Sequence, residues 1–85
     1  MKTNISIKFS SVEEYREIEN KLIELGYYLP NINKDFSDFI MNNYSKYSLK
    51  FNTFVYIHED LDFTVAPSKG SDNVYNSLEE FLNDD

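Results

Sequence analysis

Val12, Tyr15, Ile18, Leu22 and Leu25 stand three and four residues apart, so on a helix of about 3.6 residues per turn they make one apolar stripe. No other stretch restricts the fold so tightly, because such a stripe has to be covered by another element. Its ends are marked as well. Ser11 is placed to cap the helix, with Glu14 three residues on to reach back, and Glu17 and Lys21 pair one turn apart off the stripe. Gly26 stops it, since glycine takes the left-handed conformation past a helix end at little cost. Immediately upstream, Ile5, Ile7 and Phe9 alternate with Ser6 and Lys8, the pattern of a half-buried strand over 4–9. The two together predict a sheet with the 12–25 helix on its apolar face.

Beyond Gly26 the signals shorten. Tyr27-Tyr28-Leu29 reads as a short strand ended by Pro30, which has no N–H to give to a ladder. Phe36, Phe39, Ile40 and Tyr44 have helical spacing, with Asn33 or Asp35 available as a cap, so a short helix near 35–43, or an irregular loop with aromatic anchors, is expected there. Tyr47 to Phe51 is a candidate for further extended structure. Thr53 to Ile57 and Asp62 to Ala66 are β-rich runs on either side of His58-Glu59-Asp60-Leu61, a hairpin. Pro67 to Asn73 reads as a loop. Ser77-Leu78-Glu79-Glu80-Phe81 then repeats the capping grammar of Ser11-Val12-Glu13-Glu14-Tyr15 and predicts a closing helix. The expected fold is α+β, one domain over 1–85: a small antiparallel sheet with strands near 4–9, 53–57 and 62–66, packed against one main amphipathic helix, with short additional helices.

At 85 residues, a chain buries only about 60–65% of the surface it exposes when unfolded, so one modest core is available and a deep catalytic pocket is hard to maintain. Cysteine is absent, which removes disulfides, zinc–thiolate sites and thiol nucleophiles together. The opening MKTNISIKF alternates where a signal peptide needs an apolar run, and no segment reaches the roughly 18 apolar residues that span a membrane. A cytoplasmic protein with no membrane partner is expected, in the host-cell cytoplasm if it is phage-encoded.

The stretch YIHEDLDF sets the only histidine, His58, beside Glu59, Asp60 and Asp62. A catalytic triad also needs a nucleophile and an orienting group, and no nucleophile-elbow pattern is present; the run straddles a hairpin tip, where solvation of carboxylates is free. Asp60-Leu61-Asp62 opens like a calcium loop, but Val65 and Ser71 stand where that loop needs glycine and glutamate. With Gly26 and Gly70 the only glycines, neither a phosphate-binding loop nor a dinucleotide fingerprint can be written. No catalytic residue, metal ligand or cofactor is therefore expected.

Charge is the more informative property. Residues 1–58 hold seven acidic and seven basic side chains, whereas 59–85 hold eight acidic ones against Lys69 alone, so the whole net charge of −7 lies in the last 27 residues. Such a region repels nucleic acid and attracts basic partners, including proteins whose own task is to bind nucleic acid; as a plain alternative, it keeps a small domain soluble. Direct nucleic-acid binding would need a basic stripe, which is missing. The tyrosines Tyr28, Tyr44, Tyr47, Tyr56 and Tyr75 cannot all be buried in so small a body, and exposed tyrosine suits a protein interface.

The runs I-S-I-K-F-S-S-V-E-E-Y, L-I-E-L-G-Y, F-V-Y-I-H-E-D and S-L-E-E-F-L together resemble small phage-encoded accessory proteins, among them anti-defence and anti-CRISPR inhibitors, over most of the chain except 30–52. A single alanine, Ala66, amid abundant Asn, Lys, Ile, Tyr and Phe also fits an AT-rich coding sequence. The resemblance implies an inhibitor or adaptor that acts by binding. The leading expectation is a non-catalytic inhibitor that occupies a basic, nucleic-acid-binding surface of a host defence protein, a CRISPR effector or nuclease, with carboxylates standing in for phosphates. Its contact residues would be Glu59, Asp60, Asp62, Asp72, Glu79, Glu80, Asp84 and Asp85, with Tyr28 and Tyr75. The alternatives are a protein that sequesters a nucleotide signal, which requires the fold to gather Arg16, Lys21, Lys46 and Lys50, or a regulatory interaction module.

Overall fold

The computed structural model describes residues 1–49 and 53–84. The elements run β1 (Ile5–Phe9), α1 (Val12–Glu24), α2 (Asn31–Asn42), α3 (Tyr44–Tyr47), β2 (Thr53–Ile57), β3 (Phe63–Ala66), β4 (Val74–Tyr75) and α4 (Leu78–Asn83). The strands form one sheet in the order β3-β2-β1-β4. The α+β class is as expected from the sequence, with one difference: the sheet is mixed. β1 pairs antiparallel with β2 and β2 with β3, but β4 lies parallel to β1 through Ser6↔Val74 and Ile7↔Tyr75. Two residues of strand carry no periodicity, so β4, just past the predicted 67–73 loop, left no signal.

Directly opposed residues share a face of a sheet, and the pairs Ile5↔Ile57, Ile7↔Val55, Ile57↔Phe63 and Val55↔Val65 define the apolar one. Tyr15, Ile18 and Leu22 of α1, Ile40 and Met41 of α2 and Phe81 of α4 join it in a single core cluster. A second layer of helices thus covers one side of the sheet. α1 begins as predicted, Ser11 Oγ accepting from the Glu14 N–H at 3.1 Å, while the Glu14 carboxylate accepts from Ser10 N one position earlier than a capping box requires. At its end Gly26 has φ +102°, with Gly26 N–H bonded to Ile23 O and Tyr27 N–H to Leu22 O, the paired bonds of a Schellman stop. Leu25 departs from the predicted stripe. It is 42% exposed, because the helix has already turned into its C-cap there.

The predicted polar face of β1 is only half polar. Lys8 is exposed, but Ser6 is fully buried: its N–H bonds Asn73 O and its Oγ accepts from Gly70 N, so the 67–73 loop folds back over that side of the sheet. Gly70 is required for this closeness, since a Cβ there would lie 2.7 Å from the ring of Tyr56, the residue paired with Ser6.

The segment after Gly26 differs from expectation in two ways. Tyr28 forms a lone parallel bridge to Asp62 instead of a strand. The helix expected near 35–43 starts at Asn31, directly after Pro30, and the Lys34 N–H closes its first turn on Pro30 O. Neither Asn33 nor Asp35 caps it. Asn33 is inside the helix and donates from Nδ2 to Phe63 O, while Tyr28 O accepts from Phe63 N and Tyr28 N donates to Leu61 O. The two bonds at Phe63 cover part of the outer edge of β3, which would otherwise offer unpaired backbone to other chains. After Asn42 the chain continues into α3, where Tyr44 stacks on Phe9 and its hydroxyl meets Thr53 Oγ1. Extended structure was expected over Tyr47 to Phe51; Tyr47 ends α3, and Lys50 and Phe51 lie outside the described residues. No helix among the described residues is long and apolar enough to cross a membrane.

Candidate functional site

The hairpin has the expected place and a tighter tip. His58 O accepts from Leu61 N and His58 N donates to Asp62 O, a three-residue turn with Leu61 in the left-handed position at φ +74°. Glu59 and Asp60 are exposed at its apex. His58 is half-buried, its ring edge-on to Tyr56 at 4.7 Å, so the histidine packs as part of the turn. Asp62 points back inward, with Oδ1 buried and unpartnered among the described residues. Burial, and then a hydrogen bond with Asp60, raise the Asp62 carboxyl above its ordinary value, while the same bond holds Asp60 below.

Register locates the other acidic residues. The tip follows Ile57, which pairs with Ile5, so it sits at the end of the sheet where β1 begins. β4 enters beside Ser6 from that same end, which places Asp72 there, and α4 runs back to bring Asp84 into one groove with Asp72, Asn73, Val74 and Tyr75. Tyr75 Oη donates to Asp84 Oδ2. Glu59, Asp60, Asp62, Asp72 and Asp84 thus belong to one end of the sheet, and among the described residues Asp72 alone of these pairs with a cation, Lys69 at 3.5 Å. Glu79 lies elsewhere. It lines a cleft between α1 and α4 with Glu14 and Glu17, at the end toward which β1 runs, and Glu80 follows it in the first turn of α4. Two acidic poles therefore replace a single acidic surface, because α4 starts, with Glu79 and Glu80, at one end of the sheet and returns Asp84 to the other. Asp85 lies outside the described residues. Tyr28 is 62% exposed beside the hairpin, and Tyr75 is half-buried against Phe81.

The basic residues are mostly engaged by carboxylates. Arg16 reaches Glu19 at 2.8 Å and Asp38 at 3.2 Å, Lys34 reaches the same two at 3.1 and 2.9 Å, and Lys21 reaches Glu24 at 3.3 Å. Hydrogen bonds to Asp38 and then Glu19 raise Lys34; Asp38 is held below the usual carboxylate range, first by Lys34. Of the residues a nucleotide pocket would need, Arg16 and Lys21 are thus tied to acids on α1, Lys46 stands on α3, and Lys50 is outside the described residues. No group of three or more metal-ligating side chains occurs among the described residues.

One surface was missed by sequence reading. Ile32, Phe36 and Phe39 lie one turn apart on the outer face of α2 and are 76%, 44% and 53% exposed, with Leu49 near them in sequence also bare. Below them a cavity of about 160 Å³ is lined by Phe36, Ile40, Tyr47, Thr53, Val65, Ala66 and Pro67. Contiguous exposed apolar surface of this kind marks interaction sites. The signal was legible: Ile32 extends the Phe36/Phe39 spacing backward, but a helix begun at 35 leaves it out.

Fold and surface together define a small two-layer α+β protein with charged poles and an apolar helix face. Comparison with protein-family models, with curated proteins and with solved structures finds no match for the chain.

Proposed function

We propose that the protein acts without catalysis, by binding a basic surface of another protein through the acidic end of its sheet. The supporting observation is that Glu59, Asp60 and Asp62 on one side of the sheet and Asp72 and Asp84 on the other share the same end of its strands. A surface used by a nucleic-acid-binding defence protein, such as a CRISPR effector or nuclease in a host cytoplasm, has the matching charge, and carboxylates there would occupy phosphate positions. The test is an association-rate measurement against such a protein at two salt concentrations. Converting Glu59, Asp60 and Asp72 to Gln or Asn should slow association more than it speeds dissociation, because dispersed exposed charges steer encounter. A rate indifferent to both salt and neutralisation removes phosphate mimicry.

The exposed stripe of α2 favours a second reading, in which an amphipathic basic segment of the same kind of partner lies on Ile32, Phe36 and Phe39. Asp35, on the same face and without an ion pair among the described residues, supplies the opposite charge. Self-association is less suited to it, since two chains of −7 would meet with Asp35 on both sides. Phe36→Ser slowing no step while Glu59→Gln does would assign the contact to the acidic end alone.

A further inference from the structure

Three aromatic rings meet at the foot of α4. Phe81 lies edge-on to Tyr75 at 5.5 Å and tilted to Tyr27 at 6.3 Å, so the rings make the walls of a recess. The ammonium of Lys2 sits in it. Lys2 Nζ is 4.4 Å from the Phe81 ring centroid and 5.8 Å from that of Tyr75, and it donates to Phe81 O, a carbonyl at the C-terminal end of α4. Tyr27 and Phe81 line a cleft of about 290 Å³ with Met1, Leu25, Leu82 and Asp84, while Tyr75, in contact with Phe81, faces the adjoining groove that shares Asp84. Among the described residues Lys2 makes no ion pair, so rings and a carbonyl hold the cation. Attraction between a cation and ring faces is the means by which aromatic cages recognise alkylammonium groups.

We propose that Tyr27, Tyr75, Phe81 and Asp84 form a binding site for an alkylammonium group, such as a lysine side chain or its methylated form, and that Lys2 occupies this site as an internal competitor. The geometry allows Lys2 to leave without unravelling its neighbours. Tyr27 Oη donates to Lys2 O at 2.7 Å and so anchors the Lys2 backbone, and Asn4 N–H bonds Ile57 O, while the side chain itself remains half-exposed. The Tyr75 ring is oriented from the other side by its bond to Asp84. A tethered competitor acts at an effective concentration on the order of millimolar, so an outside ammonium should bind the parent only weakly and more tightly once Lys2 is removed. The cleft is separate from the acidic end of the sheet, although Tyr75 and Asp84 border both.

The test is a titration with tetramethylammonium chloride against sodium chloride at matched ionic strength, following the ring resonances of Tyr27, Tyr75 and Phe81 together with the backbone amides of Glu59, Asp60 and Asp72. Lys2→Ala should bring saturable shifts at those rings with tetramethylammonium only, and Lys2→Met, which keeps an apolar stem, should do the same if the alanine variant unfolds. Asp84→Asn in the Lys2→Ala background should weaken them. Nα-acetyl-lysine amide and its trimethylated form distinguish a preference for the primary from the quaternary ammonium. Equal responses to both salts in the folded Lys2 variants overturn the proposal and leave Lys2 as a cap of α4; shifts confined to Glu59, Asp60 and Asp72 overturn it too, while supporting the acidic end as a cation-binding surface.

Discussion

At the residue scale, the two glycines do different physical work. Gly26 is needed for its φ of +102°, since an added Cβ would meet only Met1 Cε at an ordinary 3.6 Å, whereas Gly70 is needed for space beside Tyr56. Gly26→Ala should cost about 1–2 kcal/mol through backbone strain, and Gly70→Ala about 1–3 kcal/mol through overpacking. Combining each with Tyr56→Ala separates the causes: in denaturant titrations the Gly70 cost should largely vanish and the Gly26 cost persist. Asp62 is a second point of strain. Because its folded value is raised, its contribution favours folding at acid pH and is lost as pH rises through that value, so at neutral pH the folded chain carries a disfavoured carboxylate. Asp62→Asn should therefore raise the melting temperature at pH 7 and not below the ordinary carboxylate range. A Tm profile with no such pH dependence would contradict the burial argument. The opposite strain, Leu61 at φ +74°, is offset by packing of its side chain on the core.

At the element scale, α1 illustrates how far periodicity reaches. The stripe named Tyr15, Ile18 and Leu22, all of which are buried, and it named Leu25, which is not. Leu22→Ala should cost on the order of 2–5 kcal/mol by leaving a cavity in a fully buried site, while Leu25→Ala should stay within about 0.5 kcal/mol, as surface changes do. Equal losses on thermal unfolding would show that Leu25 belongs to the core after all. Tyr15 shows what periodicity cannot convey: burial, only partly offset by the Ser37 hydroxyl, pushes its hydroxyl up to about 12. α2 was half legible for a related reason. Its apolar residues serve two faces, Ile40 and Met41 inward and Ile32, Phe36 and Phe39 outward, and a pattern with two apolar faces does not resolve into one stripe. Its cap was misread because Asn33 spends its side chain on β3.

At the scale of the whole molecule, α1 and α2 are tied by Arg16, Glu19, Lys34 and Asp38. Glu19 is buried while Asp38 remains 40% exposed at its side chain, so salt screens part of this link. Asp38 is depressed in the folded state; its stabilising contribution is present above the ordinary carboxylate value and is lost as pH falls through the lowered one. Acid titration of the melting temperature should show that loss in the parent and a shallower one in Asp38→Asn, with the difference shrinking at high salt. By itself the sequence determined the α+β class, the start of α1 and its stop at Gly26, the Ser77 cap that opens α4 and the position of the β2–β3 turn, because each is decided by residues within one or two turns of each other. Only the tertiary structure decided that β4 joins β1 in parallel, that Ser6 is buried under the 67–73 loop, that the acidic residues divide between two poles, and that Lys2 meets Phe81. Each of those depends on which edges and faces come together across the chain, and local patterning carries no information about that pairing.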